Sequence, residues 1–137
     1  MNILIIDGQG GRVGRQLVEA VRQNLPAAQV TAVGTNAMAT QTMLKAGPHQ
    51  CATGENAVIV CSRSADLIVG PIGIVIADAL LGEITPAMAA AVGQSPAKKL
   101  LIPFNQCSAR IVGTPELTMS QLLDAAVEEI RRAEAEL

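Results

Sequence analysis

The opening segment of the chain constrains its fold more than any other stretch. An apolar run, Asn2-Ile3-Leu4-Ile5-Ile6, leads through Asp7 into a glycine-rich loop at 8–14, and a helical pattern follows at once. Glycines let backbone amides approach a ligand closely, and the free amides and positive dipole end of a helix favour an anion. This order of elements predicts the entry to a nucleotide site in an α/β fold.

The composition limits the partners that the chain can have. Its 137 residues predict one domain, 1–137, with a single core. Half of the residues are apolar and 16% are charged, so we expect a homo-oligomer that buries apolar surface between subunits. A net charge of −2 and one aromatic residue, Phe104, provide neither the basic face nor the stacking rings of nucleic-acid binders. We therefore expect no nucleic-acid partner.

The cysteines and apolar runs predict a soluble, cytoplasmic protein. Cys51, Cys61 and Cys107 form no CxxC pair, and an odd number of thiols cannot all pair within one chain. The start of the chain lacks the positive region of a signal peptide. The longest apolar run, at 67–77, is too short and too interrupted by glycine and proline to span a bilayer. We expect free thiols in a reducing compartment and no membrane partner.

Strand and helix patterns alternate along most of the chain. The predicted strands are 2–6, 29–33, 49–52, 66–70, 99–103 and 110–113. The predicted helices are 13–25, 37–46, 55–61, 72–81, 86–92 and one that opens with a capping box at Thr118 and Gln121. This alternation predicts a three-layer, doubly wound, Rossmann-like sheet that is mostly parallel. The link before the last strand is too short for a parallel crossover, which predicts that this strand is antiparallel.

The expected strand order brings two loops of small residues together. If the first three strands run 3-2-1 and the fourth lies on the other side of the first, the order reverses between strands one and four. The loop at 8–14 then faces Gly70-Pro71-Ile72-Gly73 at the carboxyl edge of the sheet, where ligands of this class bind. A plain turn before a tightly packed helix explains the second loop equally well.

The glycine spacing predicts which residues hold a ligand. Gly8, Gly11 and Gly14 fit the pattern GxxGxxG in the required context, after a strand and before a helix. The predicted contacts to phosphate and ribose come from three segments. They are Gly8, Gln9, Gly10, Gly11, Arg12, Val13 and Gly14 in the loop, Thr35 and Asn36 after the second strand, and Gly70 and Pro71 after the fourth.

The charges around the loop also point to an anion. Arg12 and Arg15 flank the helix start with no acid before Glu19, and positive charge there opposes the helix dipole unless an anion intervenes. The alternative is that one arginine pairs with Asp7 and the other extends into water. Because Asp7 would repel a phosphate, we expect it to turn back onto the loop amides, the other options being a sugar hydroxyl or a metal.

One expected residue of a dinucleotide site is missing. Such sites usually carry an acid about 20 residues after the loop, which binds the ribose hydroxyls. Here that position reads Gly34-Thr35-Asn36, and no Asp or Glu occurs from 20 to 54. Thr35 and Asn36 are left as less specific donors to ribose or phosphate. The missing acid argues against an ordinary NAD site, and the cofactor hypothesis is NAD(P) or another adenine nucleotide.

Several blocks of the sequence resemble a bacterial family of short proteins recorded as a domain of unknown function. They are Ile-Asp-Gly-Gln-Gly-Gly, Ala-Val-Gly-Thr-Asn, Ala-Thr-Gly-Glu-Asn, Val-Gly-Pro-Ile-Gly, Leu-Gly-Glu-Ile-Thr-Pro-Ala-Met and Ile-Pro-Phe-Asn. The resemblance implies a Rossmann-like fold in a small cytoplasmic protein and supplies no reaction. The loop is also similar to that of extended short-chain dehydrogenases. Those enzymes use a catalytic tyrosine, and this chain has none, so their chemistry is not inherited.

No pattern in the sequence identifies a catalytic set. A Cys107 thiolate would need a base, and the only histidine is His49, far away in sequence. A small buried cysteine is the preferred interpretation. Cys51 and His49 are too few for zinc, and we expect no metal. Asp78 and Glu83 fit an acid/base pair, and they fit a helix surface and a cap as well.

Two hypotheses from different classes follow. The first is a nucleotide- or dinucleotide-binding protein of unassigned reaction, with phosphate on the glycine loop and ribose near Thr35 and Asn36. The second is a non-catalytic anion sensor or scaffold that functions as an oligomer. Whether the protein is an enzyme stays open at this stage.

Overall fold

Five parallel strands form the sheet in the part of the chain that the structure describes. The computed structural model describes residues 1–104 and 109–137. The strands are β1 (Asn2–Asp7), β2 (Gln29–Gly34), β3 (Gln50–Thr53), β4 (Leu67–Pro71) and β5 (Lys98–Ile102). Their order is β3-β2-β1-β4-β5, and every neighbouring pair is parallel. The predicted reversal of strand order between β1 and β4 is confirmed.

The helices cover both faces of this sheet. They are α1 (Arg12–Asn24), α2 (Ala37–Leu44), α3 (Glu55–Ser62), α4 (Pro86–Gln94) and α5 (Met119–Ala135). Successive side chains of a strand point to opposite faces, so β1 feeds two cores. Ile3 and Ile5 pack in the core under α1 and α5, and Leu4 and Ile6 pack in the core under α3 and α4. The three-layer arrangement follows from this double burial.

The prediction of a last, antiparallel strand at 110–113 is wrong. Within the described residues the final strand is β5, which pairs with β4 in parallel. Residues 110–113 form an irregular segment and a turn, with the Val112 side chain 98% exposed. Gly113 adopts a left-handed φ of 81°, and Pro115 has no amide to donate. This short apolar run therefore has neither a face to bury nor the backbone for a ladder.

The prediction of a helix over 72–81 is also wrong. Only a single 3₁₀ turn, Ile72–Val75, forms there, and residues 76–84 continue as bends and turns up to the start of α4. Asp78, Leu80 and Leu81 have left-handed φ values of 67°, 56° and 56°, which no right-handed helix contains. We refer to residues 76–84 as the 76–84 segment. It crosses the carboxyl edge of the sheet beside the glycine loop.

Thr118 opens α5 as predicted. Its hydroxyl accepts the Gln121 amide at 3.2 Å, and the Gln121 side chain accepts the Thr118 amide at 2.9 Å.

In the part of the chain that the structure describes, no helix combines the length and the apolar character needed to cross a membrane.

Candidate functional site

Two glycines of the loop allow α1 to pack closely against its neighbours. Gly11 is the N-cap of α1 with a φ of 73°, and a Cβ there would lie 2.6 Å from the Ala39 carbonyl oxygen. A Cβ on Gly14 would lie 2.7 Å from the Asp7 Cβ. Two glycines of the GxxGxxG pattern thus let α1 approach α2 and β1. Their presence is explained without any ligand.

Asp7 forms the floor of the loop. Its carboxylate accepts the Gly8 amide at 2.8 Å and the Gly14 amide at 2.7 Å, and its side chain is 6% exposed. Gly14 lies in the first turn of α1, where amides have no partner within the helix. The interpretation that Asp7 turns back onto the loop amides is confirmed. It also places a negative group at the positive end of the helix dipole.

The pKa of Asp7 reflects opposing effects. Burial raises it, because the ionised carboxylate is removed from water. The amides of Gly14 and Gly8 lower it, and the nearby charge of Glu83 raises it again. The net direction is upward from the ordinary value of 3.8.

Three loop amides remain available to a ligand. The amides of Gly10, Arg12 and Val13 have no hydrogen-bond acceptor among residues 1–104 and 109–137. All three residues line one cleft of about 430 Å³, which is within the size range of small-molecule sites. The other lining residues are Asp7, Gly8, Gln9, Gly11, Gln16, Leu80, Phe104 and Met119.

The two arginines at the helix start have different surroundings. Arg15 Nε lies 3.0 Å from Glu19 Oε1, one turn along α1. Arg12 is exposed, lines the cleft and forms no ion pair with any residue that the structure describes. Neither arginine pairs with Asp7. Arg12 is therefore the cation available to an anion at this site.

The sequence did not predict that Glu83 lies next to the glycine loop and the end of β2. Its Oε1 accepts the Thr35 hydroxyl at 2.6 Å, the Asn36 side-chain amide at 2.7 Å and the Gln9 backbone amide at 2.8 Å. The 76–84 segment is thereby joined to the glycine loop and to the end of β2. Thr35 and Asn36, predicted to donate to a ligand, donate to this carboxylate instead.

The pKa of Glu83 is lowered overall. Burial raises it, but the hydrogen bonds from Thr35, Gln9 and Asn36 lower it by more. The pKa of Glu83 is therefore below its ordinary value of 4.5, and the side chain is charged at neutral pH.

Gly70 and Pro71 lie away from the cleft. Both are buried at the end of β4, and a Cβ on Gly70 would collide with the Ile6 carbonyl oxygen of β1. The close approach of the two central strands accounts for this glycine. Leu80, from the 76–84 segment, forms the wall of the cleft instead. Gly70 and Pro71 are both part of the strand, and the chain turns only after them, in the 3₁₀ helix Ile72–Val75.

The other candidate residues are scattered. His49 lies just before β3, at the opposite edge of the sheet, where its Nδ1 accepts the Val30 amide at 3.0 Å. Cys51 and Cys61 are free thiols, and burial raises the pKa of each. Asp78 is exposed, and no cluster of three metal-ligating side chains occurs within the described ranges. Cys107 lies outside the described residues.

A pH dependence of stability follows from Glu83. Because folding lowers the pKa of Glu83, its contribution to the free energy of unfolding is fully present above pH 4.5. That contribution is lost as the pH falls through the pKa of the folded state. We expect Glu83→Gln to lower the free energy of unfolding at pH 7 by about 1 kcal/mol, and the difference from wild type to shrink below pH 4.5. Urea unfolding from pH 3 to 7 measures it, with Asp78→Asn as the control in the same segment. A difference independent of pH would contradict the assignment.

Comparison with known proteins identifies the family. Residues 2–135 match the family model described as Domain of unknown function (DUF3842). The chain belongs to this family. This confirms the resemblance seen in the sequence blocks. No curated protein matches the DUF3842 chain.

Among solved structures, the DUF3842 chain is similar to a dodecameric FMN-dependent Ubix-like decarboxylase from Escherichia coli O157:H7. The two share 19% sequence identity, and the match covers 95% of this chain and 76% of the other. The TM-score is 0.48. A likeness of this extent assigns neither ligand, reaction nor assembly to the DUF3842 chain.

Proposed function

We propose that this protein binds a nucleotide or dinucleotide, with a phosphate at the amino end of α1. The observation that carries the proposal is the set of three loop amides, on Gly10, Arg12 and Val13, that have no acceptor in the described chain and line one cleft. Free amides at a helix start bind anions, and the Arg12 guanidinium adds a charge of the right sign. The cleft lies at the reversal of strand order, where ligands of doubly wound folds bind.

The remainder of the cleft suits a ring. Leu80, Phe104 and Met119 supply apolar and aromatic surface next to the amides. The ribose of the adenosine half would lie on the other side of the loop, toward Thr35 and Asn36. NAD(P) or another adenine nucleotide has this combination of phosphate, sugar and ring. The reaction is left unassigned, because Asp7, the one carboxylate among the described residues that line the cleft, is already bonded to the Gly8 and Gly14 amides.

A second candidate function is suggested by the loop amides that already donate hydrogen bonds to side chains of the protein. Asp7 and Glu83 hold the amides of Gly8, Gly14 and Gln9, so the loop offers less donor capacity than its glycine count indicates. A smaller anion would need fewer donors. In that case the protein is an anion sensor or scaffold that forms an oligomer, an assembly to which exposed apolar side chains such as Leu81 would contribute.

The ultraviolet spectrum of freshly purified protein separates the two. The chain contains no tryptophan and no tyrosine, so a bound adenine ring would dominate the spectrum. A stoichiometric nucleotide, identified by mass after denaturation, is the expected result. A blank spectrum, together with no rise in melting temperature on adding nucleotides, would favour the sensor or scaffold.

Gly10→Val is the sharpest test of the phosphate position. A Cβ on Gly10 meets nothing closer than Arg12 Cγ at 3.9 Å, and its φ is not left-handed, so the fold tolerates the side chain. We expect nucleotide affinity to fall about tenfold or more, because the side chain covers the free amides. Isothermal titration measures it. Gly93→Val, at an open position on α4, is the matched control and should bind as wild type does.

A further inference from the structure

The acid that is missing after β2 is supplied from elsewhere in the chain. In dinucleotide folds a carboxylate at the end of the second strand binds ribose hydroxyls. Here Thr35 and Asn36 follow β2, and Glu83 Oε1 lies 2.6 Å from the Thr35 hydroxyl and 2.7 Å from the Asn36 amide nitrogen. The 76–84 segment therefore brings a carboxylate to the end of β2, where the sequence around β2 has none.

The two oxygens of Glu83 have different roles. Oε1 accepts all three hydrogen bonds, from Thr35, Asn36 and Gln9. Oε2 receives no hydrogen bond from residues 1–104 or 109–137, and the side chain is only partly buried. Three donors on one oxygen hold the carboxylate in a fixed orientation and leave the second oxygen as an acceptor beside the glycine loop.

The 76–84 segment, which carries Glu83, has a strained backbone conformation that holds this residue in place. Leu80 has a left-handed φ of 56° yet is only 2% exposed, and its side chain packs against Gly8. Asp78 and Leu81 are left-handed as well. Such conformations persist only where the surroundings enforce them, and they concentrate at binding sites. A simple surface turn would use glycine at these positions.

We propose that Glu83 accepts a ribose hydroxyl of the bound nucleotide through Oε2, and that it selects ligands whose ribose hydroxyls are unmodified. This inference rests on the proposed function. A hydroxyl donates to a carboxylate in a charge-assisted bond, whereas a ribose phosphate would meet a charge of the same sign. The expected ligand class is a ribonucleotide such as ADP or NAD, rather than its 2′-phosphorylated counterpart.

Isothermal titration with five named probes tests this assignment: ADP, 2′-deoxy-ADP, 3′-deoxy-ADP, NAD and NADP. On the wild-type chain we expect ADP to bind about tenfold more tightly than one of the deoxy analogues, because that analogue lacks the hydroxyl that donates to Oε2. NADP should bind more weakly than NAD. The wild-type comparison does not depend on the folding of any variant.

The Glu83→Gln variant tests whether the preference for ADP over a deoxy analogue comes from this residue. The three donors force the glutamine carbonyl inward, so the outer acceptor becomes an amide donor and the charge is lost. We expect the preference for ADP over the deoxy analogue to fall below about threefold, while Asp78→Asn keeps it. ADP binding with no discrimination by the wild type, or with full discrimination by Glu83→Gln, would overturn the Glu83 assignment and leave the proposed function standing. If none of the nucleotides binds, the proposed function and this inference both fail.

Discussion

A Gly11→Val variant is expected to lose a large share of its folded stability. The residue has a φ of 73°, which costs a β-branched side chain about 1–2 kcal/mol. Its Cβ would also lie 2.6 Å from the oxygen and 2.7 Å from the Cα of Ala39, a buried residue of α2 whose backbone cannot yield locally. Overpacking of this kind adds about 1–3 kcal/mol. The sum is a large share of the about 5–15 kcal/mol typical of small domains.

The Gly47→Val variant separates the cost of the left-handed backbone from the cost of the contact with Ala39. Gly47 has a similar φ of 76°, but a Cβ there meets nothing within 4 Å. We expect this variant to lose only the backbone contribution, about 1–2 kcal/mol, when unfolding is followed in urea by circular dichroism. Equal losses at Gly11 and Gly47 would show that the contact with Ala39 is unimportant.

The Gly11 result bears on how the glycine pattern is interpreted. Two glycines of the motif are required by packing of α1 against α2 and β1, so loss of binding in a Gly11 variant would report a damaged fold. Gly10, which the GxxGxxG pattern does not include, has open space around its Cα. It is the position at which a side chain can obstruct a ligand without disturbing the protein.

The sequence predicts the scaffold of the site because buried strands leave a strong signal. The apolar runs of β1, β2 and β4 admit burial on both faces, and helices between them require parallel pairing. Strand order and the position of the glycine loop follow from those constraints. Asp7 was predictable too, because a carboxylate beside a helix start has amides within reach.

The 76–84 segment could not be predicted in the same way. Its apolar residues at helical spacing indicate a helix, and nothing local shows that Asp78, Leu80 and Leu81 adopt left-handed φ. The contacts that enforce this conformation join Glu83 to Gln9 and Thr35, at separations of 74 and 48 residues. Tertiary bonds of that range override local preference, and they also place the acid that the β2 region lacks.

Asp7→Ala is the second substitution with a large expected effect. It leaves the amides of Gly8 and Gly14 without an acceptor at a buried position, and it removes the negative group at the amino end of α1. Each unsatisfied amide costs about 1–3 kcal/mol, so we expect a loss of about 2–6 kcal/mol in the free energy of unfolding at pH 7. Urea unfolding measures it.

Asp66→Ala is the matched control for this substitution. Asp66 also accepts a backbone amide, that of Asn2 at 2.7 Å, but it is exposed, so water replaces the lost bond and the expected loss is below about 1 kcal/mol. The pH dependence supplies an independent check. Because burial raises the folded pKa of Asp7, the wild type loses stability as the pH rises from 3.8 through that value, and the alanine variant does not. The difference between them must therefore narrow toward neutral pH; a difference that widens would mean that the amides, and not burial, dominate the energetics of this carboxylate.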